Sequence, residues 1–296
     1  MMLPSEERDI EMPLKIAREA AKVYEKIGSF GPREFVNAEL AEPSTHLLKR
    51  PGKMLRPALV FLGADYIGVD SLSEYVGLGA AIELLHISSL VHDDIVDKDV
   101  SRRGVEATHV KYGTEKAILS GDALISMAVS EANRYGGRVV GAISDAAMKM
   151  CAGEMVDYRY QNGSVVPSID EYLRVAELKS STLIGTSTSI VALHRSDERA
   201  VKLRAFGMGL GIAFQIRDDI LDFSGTDGGA DSGRHRLNIV RCIKEHDGVG
   251  DSEAVAKAAE MNNMHVDKAL SELDDGSNAE LFRDYAGRVK VSVESA

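Results

Sequence analysis

Cysteine, proline and long apolar runs are all scarce in this 296-residue sequence. Two cysteines, Cys151 and Cys242, are too few for a disulfide framework and suit a reducing, cytoplasmic setting. Only Pro167 follows Pro57. Because proline breaks helix interiors, the long remainder of the chain is open to helices. No apolar run approaches the roughly 20 residues of a membrane-spanning helix. The acidic opening MMLPSEERDIEMP has no apolar signal core. The expectation is therefore no membrane span and no targeting segment. Basic charge is also in deficit, with 35 Lys and Arg against 46 Asp and Glu and a formal net charge of −11. That balance argues against nucleic acid or an anionic bilayer as the main partner. It leaves an anionic substrate open, because bound metal ions invert the sign of an acidic site.

What the sequence does contain is helical periodicity almost throughout. Amphipathic or apolar patterns of helical spacing cover Leu14–Ile27, Met54–Ile67, Ser71–Asp97, Glu115–Tyr135 and Arg138–Tyr160. Ser168 reads as the N-cap of a helix from Ile169, with Glu171 at the capping-box position. Further patterns cover Ser180–Leu193, Glu198–Phe223, Ser252–Leu273 and Asn278–Val291. Alternating strand patterns are scarce, and there is no internal repeat or clear linker. The expectation is one all-α domain over residues 1–296, with a Gly-rich loop at Gly225–Gly233.

Two segments carry the chemistry. LLHISSLVHDDIVD ends in Asp93, Asp94 and Asp97, and IAFQIRDDILD ends in Asp218, Asp219 and Asp222. Each has the spacing D-D-x-x-D, which puts Asp93 with Asp97, and Asp218 with Asp222, on one helix face. A solvated acidic face would explain one such cluster. Here apolar residues flank both, and carboxylates partly buried among them need cations. Six aspartates suit Mg²⁺, a hard ion that keeps several waters and also binds substrate phosphates. Two facing clusters with Mg²⁺ between them would clamp a diphosphate. Basic residues fit that picture: Lys53 and Arg56 lie at a helix start, and Arg102 and Arg103 just past the first cluster. His92, beside Asp93, reads as a structural neighbour and not as a general base.

Taken together, GKMLRP, ELLHISSLVHDDIVD, RRG followed by Thr108 and His109, ILSGDAL and GIAFQIRDDILD resemble the trans-isoprenyl diphosphate synthase (polyprenyl synthetase) family. The resemblance implies the isoprenoid synthase fold: long helices bundled around a deep central cavity, as a homodimer. It implies Mg²⁺-assisted ionisation of an allylic diphosphate (geranyl, farnesyl or geranylgeranyl) and its condensation with isopentenyl diphosphate. Asp93, Asp94, Asp97, Asp218, Asp219 and Asp222 match the metal-binding motifs. Arg102, Lys179 and Gln215 match allylic-diphosphate contacts, with Ser180 where a threonine commonly follows the lysine. Gly52, Lys53, Arg56, His86 and Arg103 match the isopentenyl diphosphate site. The released diphosphate takes up the proton in this chemistry, so no nucleophile–base pair is required. Asp93, Asp94, Asp97, Asp218, Lys179 and Arg102 are the residues expected to act on the ionising substrate.

Product length in the family follows bulk on the helix before the first aspartate cluster. Short-chain enzymes often carry an aromatic where this chain has Ser88 and Ser89, roughly 6–8 Å from Asp93 along a helix. The next bulky side chain there is Leu85. The expected product has twenty to twenty-five carbons. Besides Ser180, two features depart from the family. Glu154 replaces a common glutamine ahead of Asp157, and the segment after Asp222 is short and lacks its usual lysine, a charge that Arg234 or Arg236 would supply. Three other readings fit less well. A class I terpene cyclase mixes Asn, Ser and Glu in its second motif, an HD-type phosphohydrolase leaves the second cluster unexplained, and a non-catalytic subunit of a heteromeric synthase tends to lose these aspartates.

Overall fold

Helix forms nearly wherever the sequence carries helical spacing. The computed structural model describes residues 13–50, 52–163, 165–225, 237–274 and 279–292. Its helices in chain order are α1 (Leu14–Gly28), α2 (Ala38–Ser44), α3 (Leu55–Tyr66), α4 (Val76–Asp97), α5 (Thr108–Tyr112), α6 (Thr114–Asn133) and α7 (Gly137–Gln161). Then come α8 (Ile169–Ala176), α9 (Thr182–Arg195), α10 (Ala200–Gly225), α11 (Ile239–Asp247), α12 (Asp251–Leu270) and α13 (Glu280–Gly287). The expected all-α class is the observed one. Among the described residues, the sheet content is a two-stranded hairpin, β1 (Ser101–Arg102) and β2 (Val105–Glu106).

Local sequence sets several boundaries. Ser168 caps α8 with a complete capping box: its side chain accepts from the Glu171 N–H, and the Glu171 carboxylate accepts from the Ser168 N–H. The expected helix from Ser71 begins instead as a 3₁₀ turn at Leu72–Tyr75 and becomes α-helical at Val76. Lys98, in the left-handed conformation, ends α4 one residue after the aspartate cluster. Helix α11 has no counterpart in the expected series. Its signal is local: Asn238, just before two β-branched residues, accepts from the N–H groups of Val240 and Arg241.

The chain groups into two compact units. One comprises Pro13–Ala147 and Thr186–Ala200. Its interior is built from Ile16 and Val23 of α1, Leu59 and Phe61 of α3, Leu78, Ile82 and Leu84 of α4, and Leu124 of α6, all buried. More than half of helix α4 is buried. By length and composition alone, Leu72–Asp97 could cross a membrane, although no uninterrupted apolar run of that length is present. Gly, Ala and Ser dilute the run without lowering its average hydropathy much, and most of it is buried.

The other unit comprises the described parts of Met148–Gly185 and Val201–Ala296. Its core joins Tyr172 and Ala176 of α8, Ile216 and Ile220 of α10, Ile239 and Ile243 of α11, and Val255 and Ala258 of α12. The Asn262 amide donates to the Ala213 carbonyl at 2.7 Å, tying α12 to α10. Phe206 of α10 and Phe282 of α13 meet edge-on, with centroids 4.7 Å apart. Cys151 is exposed and Cys242 buried, and both are free thiols.

Candidate active site

In the first unit the polar groups gather at the C-terminal end of α4 and in the hairpin that follows it. A two-residue turn, Arg103-Gly104, joins β1 to β2, and both residues have positive φ (53° and 76°). That is the pattern of a tight hairpin turn matched to strand twist. It sends the two neighbouring arginines to different partners. Arg102 donates from Nε and Nη2 to one oxygen of Asp94, at 2.7 and 2.5 Å, and from Nη2 to Asp99 at 2.9 Å. Arg103 donates from Nη1 to the Arg50 carbonyl at 3.1 Å, and its Nη2 lies 3.5 Å from the Glu83 carboxylate. The guanidinium of Arg103 also fills the space that a side chain at position 52 would need. A Cβ there would come within 2.6 Å of Nη2, so a side chain at position 52 would displace the guanidinium.

Asp94 is completely buried. Burial pushes its carboxyl above the usual range, more than the pairing with Arg102 pulls it down. Asp93 and Asp97 are half-buried. Asp94 Oδ2 and Asp97 Oδ1 are shut away from water without a hydrogen-bond partner. His86 lies on the same helix, and its Nε2 is 3.0 Å from Arg56 Nη1. Arg56 can only donate, so this ring nitrogen is the acceptor. Burial, then the charges of Arg56, Arg103 and Arg102, hold the His86 imidazole well below its ordinary pKa. Lys53 is exposed. His92 turns to α6, with Nε2 3.2 Å from the Ile118 carbonyl. Of the residues expected to govern product length, Ser88 and Leu85 are buried, and Ser89 donates to the His86 carbonyl at 2.8 Å.

In the second unit a widened, π-helical turn at Glu177–Ser181 separates α8 from α9. Such turns recur at functional sites because they re-aim side chains. Hydroxyls cover the loosened carbonyls: Ser181 donates to Ala176 at 3.1 Å and Thr182 to Glu177 at 3.0 Å. Helix α7 approaches this turn at Gly153, where a Cβ would come within 2.5 Å of the Lys179 nitrogen. The close approach brings Lys179 Nζ to 2.7 Å from Glu154 and 2.5 Å from Asp157. A relay of hydrogen bonds starts one residue on. Ser180 donates to Gln215 Oε1 at 2.7 Å, and Gln215 Nε2 donates to Asp219 at 2.9 Å. The other Asp219 oxygen accepts from the Ile239 N–H at 2.8 Å, and Asn238 donates to the Asp219 carbonyl at 2.9 Å.

Asp219 is therefore buried and bonded through both oxygens, and burial pushes its carboxyl up to about 7. Asp218 and Asp222 are exposed. Among the described residues, no three acidic, histidine or cysteine side chains converge as a self-sufficient metal centre. Arg234 and Arg236 lie outside the described residues.

Comparison with known proteins fits these motifs. The Polyprenyl synthetase family matches residues 37–233. The chain belongs to the polyprenyl synthetase family. As a family member it is a trans-prenyltransferase. It is 33% identical over 266 residues to a short chain isoprenyl diphosphate synthase of Methanothermobacter thermautotrophicus, covering 81% of this chain and 80% of that protein. It is 30% identical to a geranylfarnesyl diphosphate synthase of Natronomonas pharaonis, covering 86% of each. Among solved structures, a geranylgeranyl pyrophosphate synthetase from the archaeon Geoglobus acetivorans superposes with a TM-score of 0.82 at 28% identity, over 93% of this chain and 96% of that one.

Several residues that bond to these groups were not singled out from sequence. Glu83 had a signal, a lone acid inside the apolar run AAIELLH. Asn238 had one too, as an N-cap residue before an apolar pair. The carbonyl of Arg50 had none.

The acid response of this site follows from His86. A histidine held neutral in the fold takes up a proton more readily when unfolded. Below the ordinary histidine pKa the unfolded state therefore binds more protons, and stability falls as pH falls. Urea melts at about pH 7 and about pH 5 should show His86→Gln losing less stability than the parent protein over that interval. Equal losses would remove His86 as the cause.

Proposed function

We propose that this chain acts as one polyprenyl synthetase domain that condenses isopentenyl diphosphate with an allylic diphosphate to give an all-trans product of twenty to twenty-five carbons. The observation that carries the reading is the pair of intact D-D-x-x-D segments, each at the end of a long helix. The orphaned oxygen of Asp97 adds to it, because a buried acceptor without a donor wants a cation.

The donor set fits Mg²⁺. Oxygen ligands suit it, and an ion that keeps waters and binds substrate phosphate does not need three protein ligands in place beforehand. Asp93 and Asp97 would hold it in one cluster, with Asp218 and Asp222 in the other. Asp94 and Asp219, expected as ligands too, are reassigned in this reading: Asp94 fixes Arg102, and Asp219 fixes Gln215 and the start of α11. When bound, Mg²⁺ supplies positive charge to the departing diphosphate.

The chain's own residues do the rest. Lys179, held by Glu154 and Asp157, and Arg102, held by Asp94 and Asp99, present fixed positive charge to the allylic diphosphate. Gln215, oriented by Ser180 and Asp219, offers a polar contact there. Arg56, Arg103, neutral His86, Lys53 and the backbone at Gly52 bind the diphosphate of isopentenyl diphosphate and hold its double bond ready for attack on the allylic cation. No side-chain base is assigned to the final proton loss.

Kinetic assay of the isolated protein tests this directly. Elongation should require Mg²⁺, stop with a chelator and return with added metal. Asp97→Ala should lower kcat by about a thousandfold. Absence of elongation by the pure chain would overturn this reading.

Product length rests on Ser88, Ser89 and Leu85. Ser88→Phe should shift chromatographed, dephosphorylated products to shorter chains, and an unchanged distribution would remove Ser88 as a determinant. A homodimer completes the proposal. The exposed Ile118 and Leu119 of α6 support it as an apolar patch to cover. Sedimentation should give twice the chain mass, and a monomer at assay concentration would exclude the dimer. The cytoplasm is the proposed location, consistent with two free thiols.

A further inference from the structure

Glu83 sits where a carboxylate is least expected. It occupies the middle of α4 between Ile82 and Leu84, and it is 2% exposed. His86 follows three residues later, so both side chains share one helix face. The Glu83 carboxylate faces Arg103 Nη2 at 3.5 Å; burial pushes the acid above its usual range, and the charges of Arg103 and Arg56 pull it back down. Arg103 is restrained once more, by the Arg50 carbonyl, and its guanidinium occupies the space beside Gly52. Two guanidinium groups and a neutral imidazole thus gather around a single buried acid.

We propose that Glu83 is the positioning residue of the isopentenyl diphosphate site, holding the Arg103 guanidinium in place and offsetting the repulsion between Arg103 and Arg56 before substrate arrives. The proposal rests on the assignment of Arg56, His86 and Arg103 to that substrate. Its physical basis is preorganisation. An arginine on a free side chain loses rotamer freedom when it meets a phosphate, whereas one already anchored loses little. Glu83 touches no reacting atom, so its effect should fall on one substrate's binding and not on the chemical step.

Steady-state kinetics with each substrate varied separately decide the matter. Glu83→Gln should raise KM for isopentenyl diphosphate by about tenfold, while KM for the allylic diphosphate and kcat stay within about threefold. Glu83→Asp, which keeps the charge with a shorter reach, should recover part of that loss. An unchanged isopentenyl diphosphate KM in Glu83→Gln would overturn the proposal, as would equal rises for both substrates. If Glu83→Gln does not accumulate as folded protein, Glu83→Asp carries the same test: a selective rise supports the proposal and no rise overturns it. Arg103→Ala separates the two levels of inference. If it raises KM for isopentenyl diphosphate while Glu83→Gln does not, the site stands and the role of Glu83 falls. If Arg103→Ala has no effect on that KM, the site assignment itself fails.

Discussion

A carboxylate removed from water has to find positive charge or hydrogen-bond donors within the protein, and this chain places several of them inside its helical cores. Asp94 is fully buried and takes two hydrogen bonds from Arg102. Glu83 faces Arg103, and Asp219 takes the Ile239 N–H and the Gln215 amide. Within each unit, the placement of the neighbouring polar groups depends on these pairings. The hairpin after α4 directs Arg102 and Arg103 to their acids, and the start of α11 is tied to Asp219. Removing one partner from such a pair leaves an uncompensated charge, which costs about 3–5 kcal/mol. The pairings are structural commitments as well as functional ones.

The same constraint divides each D-D-x-x-D segment into two kinds of aspartate. In each, the second residue turns inward and is consumed by the fold, as Asp94 and Asp219 show. The first and last residues, one helical turn apart, stay at least partly open to solvent. Helical geometry produces that division: positions i and i+4 share a face, and position i+1 points about 100° away. A motif of three acids therefore offers two outward carboxylates and one inward anchor.

Much of this was legible in the sequence. The long helices follow from apolar residues at three- and four-residue spacing and from the scarcity of proline. The α8 capping box was readable residue by residue. The short elements were not, because a hairpin of two-residue strands and a nine-residue α11 leave too few positions for periodicity to register. The π-helical turn at Lys179 was also invisible, since it packs against α7 at Gly153, a contact distant in sequence.

The sequence by itself determined the fold class, the family and the set of polar residues available for chemistry, because periodicity and motif spacing are local properties. Tertiary structure decided what each of those residues is paired with. Arg102 and Arg103 are adjacent and alike in sequence, yet one is bonded to Asp94 and the other faces Glu83. Asp218 and Asp219 are also adjacent and alike, yet one is exposed and the other buried. Burial and partnership depend on what packs against a side chain from distant parts of the chain, and a motif does not contain that information.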